Sequence, residues 1–315
     1  VPPAGACGRS PPLWSPDSKK LAFGDKKQHL RWVEVESGKV TDADHSSYND
    51  ITHYRWSPDS RYIAYVKGGR SQLTSIWIYG LDDGKARQLT DSGTSELEPV
   101  WDPQGRYLYF LSNRDFNLTF SNWEFDYVYT DPTRVYVGIL AKDGPALFLP
   151  QSDEEPVQDD KGTKGAKGTQ PNQPPQLDRL ADTAADDDAG SKGRKTEKGP
   201  AGRAEEKAER ADKAAPKPVR VKIDFDGFAN RVRAIPGKSA DYRGLNANAD
   251  AVFYQVGRAG DVKLKMYSLK DEKESGVLDG VDGYDLSADG KKLIYGKGDD
   301  YGIVEQYWDM SHATT

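Results

Sequence analysis

The side chains best suited to chemistry are few and scattered along the chain. The four histidines are His29, His45, His53 and His312, and no two stand four residues apart, as two ligands on one helix face do. His53 precedes an apolar strand, so we interpret it as a structural residue rather than a general base. The single cysteine, Cys7, has no adjacent base, and one thiol excludes an internal disulfide framework and a cysteine-based zinc site.

Three acidic clusters could in principle offer oxygen ligands to calcium: Asp279–Asp282, Asp224–Asp226 and Asp186–Asp188. Calcium needs about six to eight converging oxygens, and the spacing of a calcium-binding EF-hand loop is absent. The first two clusters contain Asp-Gly, which favours hairpin turns, because glycine adopts a positive φ without strain. We therefore predict no metal site, no other cofactor and no catalytic residue. The motifs of serine hydrolases (G-x-S-x-G), zinc peptidases (H-E-x-x-H) and P-loops are also missing.

Three arginines, Arg55, Arg114 and Arg243, lie in or near predicted strands and loops, where a guanidinium could meet the carboxylate of a peptide. Solvation at the surface is the alternative for each of them, and it is favoured, so the peptide-binding residues remain unknown. Asn117–Thr119 matches a glycosylation sequon, which short sequences contain by chance.

The elements that position these candidate residues are indicated by a repeated ten-residue pattern. It occurs as WSPDSKKLAF from Trp14, WSPDSRYIAY from Trp56, WDPQGRYLYF from Trp101, LNANADAVFY from Leu245 and LSADGKKLIY from Leu286. A period in the low forties built of strand, turn and strand is typical of β-propeller blades. We expect Trp14, Trp56 and Trp101 to pack between blades as core aromatics.

The second repeat gives the expected blade. It contains THYRW (52–56), a Pro-Asp turn, a strand over 61–66, TSIWIY (74–79), an Asp-Gly hairpin turn and a short polar strand over 86–89. The predicted fold class is therefore all-β, a propeller of four-stranded antiparallel blades with about five blades or part-blades. Blades are predicted over 1–150 and 218–305, followed by an irregular tail over 306–315.

The one long interval between repeats contains a low-complexity segment. Residues 151–217 hold no Phe, Tyr, Trp or Ile, and they carry 15 acidic and 13 basic residues. Such a segment cannot bury enough apolar surface to offset its ordering entropy, so we predict a disordered insertion. The remaining residues of the interval predict one enlarged blade, whose extra strands are TRVYVGIL (133–140) and VRVKIDF (219–225). The balanced charge of residues 151–217 favours a solvated linker over a nucleic-acid-binding arm.

Composition narrows the classes of partner. The net charge is −6, which disfavours nucleic acid and anionic membranes as partners. No apolar run approaches the roughly 20 residues that span a bilayer. The chain starts without an initiator methionine or a signal peptide, so we expect a fragment or a processed product. Its last repeat breaks off in mid-blade, which indicates either missing blades or a frame or assembly error near Glu305.

The repeats resemble the TolB-like class of WD-type propeller repeats. More specific strings are EPVWDPQGRYLYFLSNRDFN (98–117), SNWEFDYVY (121–129), VKIDFDGFANRVRAIP (221–236), DYRGL (241–245) and VLDGVDGYDLSADGKKLIY (277–295). Together they resemble the second, core-proximal propeller of tricorn-type serine peptidases over nearly the whole chain, apart from residues 151–217 and the last ten.

This resemblance implies a non-catalytic segment that filters or channels oligopeptides to a catalytic core outside this chain. It further implies PDZ and catalytic domains in the same polypeptide, homo-oligomers and a cytoplasmic location. The alternative is a stand-alone TolB-like propeller that binds a protein partner in the cell envelope, with a periplasmic location. A prolyl-oligopeptidase-like propeller is a third possibility, which the DFDGF and YRGL strings disfavour.

Overall fold

The computed structural model describes residues 11–115, 118–121, 126–148, 219–258 and 260–305. These residues form five antiparallel sheets that follow one another along the chain, so the predicted all-β propeller is confirmed. Four sheets have four strands and the fifth has three, apart from one separate two-stranded hairpin. The predicted insertion (151–217) and tail (306–315) lie outside the described residues, so their boundaries stay predictions.

The strands of each blade run outward in chain order. Blade 1 contains β1 (Leu13–Trp14), β2 (Lys20–Gly24), β3 (His29–Glu34) and β4 (Val40–His45); blade 2 contains β5 (Thr52–Trp56), β6 (Tyr62–Gly68), β7 (Thr74–Gly80) and β8 (Lys85–Gln88). Blade 3 contains β9 (Glu96–Trp101), β10 (Tyr107–Ser112), β13 (Arg134–Ile139) and β14 (Val232–Ala234), with the separate hairpin β11 (Leu118–Ser121) and β12 (Asp126–Tyr129) between its second and third strands. Blade 4 contains β15 (Tyr242–Ala247), β16 (Ala251–Val256), β17 (Lys263–Ser268) and β18 (Lys273–Asp279); blade 5 contains β19 (Gly283–Leu286), β20 (Lys292–Lys297) and β21 (Asp300–Glu305).

The hydrophobic core of the described residues consists of four clusters, one between each pair of consecutive blades. Side chains alternate along a strand, so a central strand can contribute to the cluster on either side of its blade. In β10, Leu108 and Phe110 pack toward blade 2, whereas Tyr107, Tyr109 and Leu111 pack toward blade 4. This burial of both faces explains why the second strands of blades 2, 3 and 4 are nearly continuously apolar, and it makes each of these blades depend on its neighbours for stability.

The repeated turn joins the first and second strands of a blade. In blade 2 the Ser57 hydroxyl donates a hydrogen bond to Asp59 Oδ1 (2.6 Å) and accepts one from the Tyr62 amide (2.9 Å). The last turn residue has a positive φ, at Ser60 as at Ser18, Gly105 and Gly290. The fourth repeat has a turn two residues shorter. Ala247 pairs with Val252 at the end of the first strand, just as Trp56 pairs with Ile63 in blade 2. Ala247 therefore occupies the position of the repeat tryptophan in blade 4, and the predicted alignment on Leu245 was wrong.

The enlarged blade differs from its prediction in one strand. TRVYVGIL forms β13, the ordinary third strand, but VRVKIDF (219–225) pairs with none of the described strands, and the fourth strand is instead β14. The Val221 amide donates to Asp59 Oδ2 (2.9 Å), and the Asp224 amide donates to the Leu140 carbonyl (2.9 Å). Val221 packs into the core between blades 2 and 3. The alternating apolar pattern is thus satisfied by packing across two blades rather than within a sheet.

The hairpin turns predicted at the acidic clusters Asp224–Asp226 and Asp279–Asp282 were also wrong, although the glycine after Asp226 and the one after Asp279 have the expected positive φ. Gly227 (φ 71°) precedes a short 3-10 turn (Phe228–Arg231), and Gly280 (φ 71°) lies in the link between blades 4 and 5. Both Asp-Gly pairs therefore redirect the chain between elements instead of closing a hairpin.

Gly138 gives a first stability prediction. A Cβ atom added to Gly138 in β13 would collide with the ring of Phe228, which is buried. Overpacking a filled core costs about 1–3 kcal/mol, so we expect Gly138→Ala to lower the free energy of unfolding by that amount in urea denaturation. Gly276→Ala in β18 is the control, since nothing lies within 4 Å of its added Cβ. Equal effects of the two variants would show that the Phe228 contact is unimportant.

Candidate functional site

The first strand of each blade forms the candidate site. In all five blades, this first strand is hydrogen-bonded to the second strand of its own sheet. Its other edge has no strand partner among the described residues. The first strands of consecutive blades also adjoin one another: β1 with β5, β5 with β9, β9 with β15, and β15 with β19. In a propeller the innermost strands surround the axis, so side chains of these strands are the ones that can face a central passage.

A β-bulge recurs in three of these inner strands. Three residues before the Trp position, His53 (φ 50°), Glu98 (φ 48°) and Gly244 (φ 62°) adopt left-handed backbone conformations, and the strand register shifts there. Bulges re-aim side chains, and a non-glycine residue in this conformation costs energy. At the bulge position, blades 2 and 3 thus carry the polar side chains of His53 and Glu98, whereas blade 4 has Gly244. Nothing in THYRW marks a bulge, whereas ELEPVW contains Pro99, a residue that strands tolerate mainly at edges and bulges, and this signal could have indicated the bulge at Glu98.

His53 is half-buried, and no partner of its Nδ1 atom is found among the described residues. Burial lowers the pKa of His53 below its usual range; the Glu98 carboxylate opposes this shift and the Arg55 guanidinium adds to it. Glu98 Oε2 accepts a hydrogen bond from the Leu245 amide of the next inner strand (2.7 Å). The bulge therefore places a neutral imidazole near an anchored carboxylate.

The three predicted arginines have different surroundings. Arg114 pairs with the buried Glu96 (2.7 Å), and Arg243 donates to the Gly257 carbonyl (2.9 Å). Arg55 is exposed, and among the described residues its guanidinium donates only a long hydrogen bond to the Tyr54 carbonyl (3.4 Å) and forms no ion pair with a carboxylate. Arg55 is consequently the arginine of the three that is best placed to bind an external anion.

Side chains of the following blade cover part of the free inner edges. Trp56 Nε1 donates to the Leu13 carbonyl (2.9 Å), and Trp101 Nε1 donates to the Arg55 carbonyl (3.1 Å). The Tyr284 hydroxyl donates to the Gly244 carbonyl (2.6 Å). An extended peptide therefore cannot pair continuously with these edges, and side chains must provide part of any contact. Trp56 and Trp101 are buried between blades as predicted, but Trp14 is 56% exposed, because no blade precedes it among the described residues.

The two acidic clusters in the described part of the chain have structural surroundings rather than those of a metal or catalytic site. Asp282 accepts from the Gly298 amide (2.6 Å) and Asp224 from the Lys142 amide (2.8 Å), so both have local structural partners. Within the described ranges, no three or more His, Cys, Asp and Glu side chains are grouped to hold a metal ion. The rings of His29 and His45 are in contact, although the two residues lie on different strands. The remaining candidates, Cys7, Asn117, Asp186–Asp188 and His312, lie outside the described residues.

His53 gives a prediction for pH dependence. Its folded-state pKa lies below the ordinary value of about 6.5, so the stability that it contributes is complete above about pH 6.5 and is lost as the pH falls through the lowered pKa. We expect the loss of unfolding free energy between pH 7.5 and 5.5 to be smaller in His53→Asn, since asparagine tolerates a positive φ. Gln72→Asn is the control, because Gln72 is exposed, has a similar positive φ (65°) and does not titrate. An unchanged pH profile for His53→Asn would contradict the prediction.

Comparison with known proteins agrees with this fold. The crystal structure of the tricorn protease superposes with a TM-score of 0.66 at 16% identity, covering 96% of this chain and 26% of that one. The described chain is thus a β-propeller segment of the kind found in that structure. No helix in the described residues has the length and hydropathy to cross a membrane.

The family follows from the sequence. Residues 8–307 match the family model of the tricorn protease second beta propeller domain, and the chain belongs to this family. Relatives include Tricorn protease homolog 1 of Streptomyces coelicolor (28% identical, 46% of this chain and 14% of the relative) and the Tricorn protease of Thermoplasma volcanium (31%, 44% and 14%). A third is the putative Tricorn-like protease C-terminal subunit of Sulfurisphaera tokodaii (30%, 47% and 17%). The matched region spans only 14–17% of these relatives.

Proposed function

We propose that this chain is a non-catalytic propeller segment of a tricorn-like serine peptidase, and that it filters or channels oligopeptides toward a catalytic core outside this chain. Family membership supports the assignment to such a peptidase. The observation that carries the peptide-handling role is the inner-strand surface, where exposed Arg55 stands beside the bulge residues His53 and Glu98.

The chemistry of this surface suits a peptide terminus. A guanidinium without a carboxylate partner can form charge-assisted hydrogen bonds with the α-carboxylate of a peptide. The neutral His53 and the Glu98 carboxylate add polar groups nearby that can interact with amide groups. The catalytic and PDZ domains of the same polypeptide, a homo-oligomeric assembly and a cytoplasmic location belong to the same proposal, by analogy with the family.

Peptide binding by this chain tests the proposal. Charge-assisted hydrogen bonds contribute about 1.5–3 kcal/mol, so Arg55→Ala should weaken binding of a fluorescent decapeptide with a free carboxyl terminus by about tenfold or more. The same peptide with an amidated terminus should bind weakly to the unaltered chain and should be insensitive to Arg55→Ala.

Arg61→Ala is the matched control, because Arg61 pairs with Asp82 on the surface of blade 2. It should leave peptide affinity unchanged. Equal affinities for the acid and the amide, or no effect of Arg55→Ala, would refute the carboxylate role of Arg55. Absence of any peptide binding would refute the peptide-handling function itself.

A further inference from the structure

Two histidines face each other at the outer rim of blade 1. His29 in β3 is directly opposite His45 in β4, and their ring centroids are 4.6 Å apart. The Ser46 amide bonds the Gln28 carbonyl (3.0 Å), and these residues flank the two histidines. His29 and His45 are therefore a non-hydrogen-bonded antiparallel pair, the arrangement in which opposite side chains come closest.

The surroundings of the pair favour a cation. The Asp42 carboxylate lies 3.6 Å from His29 Nδ1, and Asp25 lies on the adjoining turn, where it accepts the His29 amide (3.0 Å). Arg31 bonds both carboxylates, so these three charged groups carry a net charge of −1. His29 Nδ1 is buried and has no hydrogen-bond partner in the described part of the chain, whereas His45 is exposed to solvent.

We propose that His29 and His45 chelate one divalent transition-metal ion of the class that prefers imidazole, such as Ni²⁺, Cu²⁺ or Zn²⁺. Metal–imidazole bonds of about 2.0–2.1 Å place two ligand nitrogens on one ion about 3 Å apart. Facing rings with centroids 4.6 Å apart can reach this separation by small side-chain rotations. Two protein ligands are present, so water completes the coordination. Ions that prefer oxygen ligands, such as Mg²⁺, do not suit this pair.

Metal binding would join the outer strand of blade 1 to its neighbour. β4 is the last strand of its sheet, and among the described strands it pairs only with β3. An ion bound to both strands stabilises the paired state over any state in which β4 has detached, because only the paired state presents both ligands. The site thus provides a metal-dependent clamp at the rim, at a distance from the inner-strand surface proposed to handle peptides.

Titration of the tag-free, metal-free chain with Ni²⁺ alone, followed by calorimetry, tests this proposal. We expect one ion per chain and no competition from Mg²⁺. His29→Gln and His45→Gln should each weaken binding by about tenfold or more, since loss of a ligand costs at least as much as loss of its supporting contacts. His53→Asn and His312→Gln are controls that retain the pair and should bind as the unaltered chain does.

A second measurement keeps the test valid if one variant folds poorly. The electron paramagnetic resonance spectrum of the Cu²⁺-loaded unaltered chain should show hyperfine coupling to two imidazole nitrogens, and that of His45→Gln to one. Failure to bind one ion per chain, undiminished binding in the His29→Gln/His45→Gln double variant, or a Cu²⁺ spectrum without two coupled imidazole nitrogens would each overturn the proposal.

Discussion

Replacement of Trp56 by alanine is expected to lower the free energy of unfolding by about 3–5 kcal/mol. The indole is 6% exposed, packs between blades 1 and 2, and donates its Nε1 hydrogen to the Leu13 carbonyl (2.9 Å). Trp101 repeats the arrangement between blades 2 and 3, with the Arg55 carbonyl as its acceptor, so Trp101→Ala should have a similar effect. Each of these side chains both fills the core and joins consecutive inner strands.

Phenylalanine separates the two contributions. Trp56→Phe retains most of the apolar contact but removes the hydrogen bond to Leu13, so we expect a loss of about 1 kcal/mol. Trp14→Ala is the control, since the exposed Trp14 side chain should contribute about 0.5 kcal/mol or less. Urea denaturation monitored by circular dichroism gives these values. If Trp14→Ala cost as much as Trp56→Ala, packing between the described blades could not explain the role of these tryptophans.

The second large effect is expected at Glu96, in the inner strand of blade 3. Its side chain is fully buried, and Oε1 accepts hydrogen bonds from Arg114 (2.7 Å) and the Thr94 hydroxyl (2.8 Å). The Arg114 guanidinium also lies over the Tyr136 ring, 4.7 Å from its centroid. Removal of one partner of a buried ion pair costs about 3–5 kcal/mol, because the other charge is left uncompensated. We expect Glu96→Ala to reach the lower part of this range, since Arg114 is partly exposed.

The surface ion pair between Arg61 and Asp82 provides the control. Asp82 is exposed and Arg61 is partly exposed, so Asp82→Ala should change the free energy of unfolding by about 1 kcal/mol at most. The double variant Glu96→Leu/Arg114→Met should recover part of the loss, because it removes the isolated charge together with its partner. Similar losses for Glu96→Ala and Asp82→Ala would contradict the assignment of the Glu96–Arg114 pair as a buried structural contact.

The architecture was predictable because its signals are local. The Trp-Ser-Pro-Asp-Ser turn and the apolar strand after it fall within ten residues, and they recur often enough to define the blades. The segment 219–225 was assigned wrongly for a physical reason. Its alternation of Val219, Val221, Ile223 and Phe225 is typical of a strand, but its backbone donors bond to Asp59 and Leu140, which are remote in sequence.

The candidate site was less predictable than the fold. Arg55 could be selected by its residue type, but only the structure shows that Arg114 and Arg243 have protein partners while Arg55 lacks a carboxylate partner among the described residues. The left-handed conformations of His53 and Glu98 depend on strand register, which is set by pairing with the second strand. Pro99 in β9 is a residue-type signal of the bulge at Glu98, whereas no neighbour of His53 marks one. The contact between His29 and His45 depends in the same way on cross-strand pairing.

We propose that this chain is a propeller that handles peptides without cleaving them. The most direct test of the non-catalytic part of this proposal is incubation of the repurified chain with a mixture of oligopeptides, followed by mass spectrometry over time. We predict that every peptide remains intact, since the chain carries no recognisable nucleophile–base set. New peptide termini whose formation rate follows the elution profile of the chain through a second purification would contradict the claim.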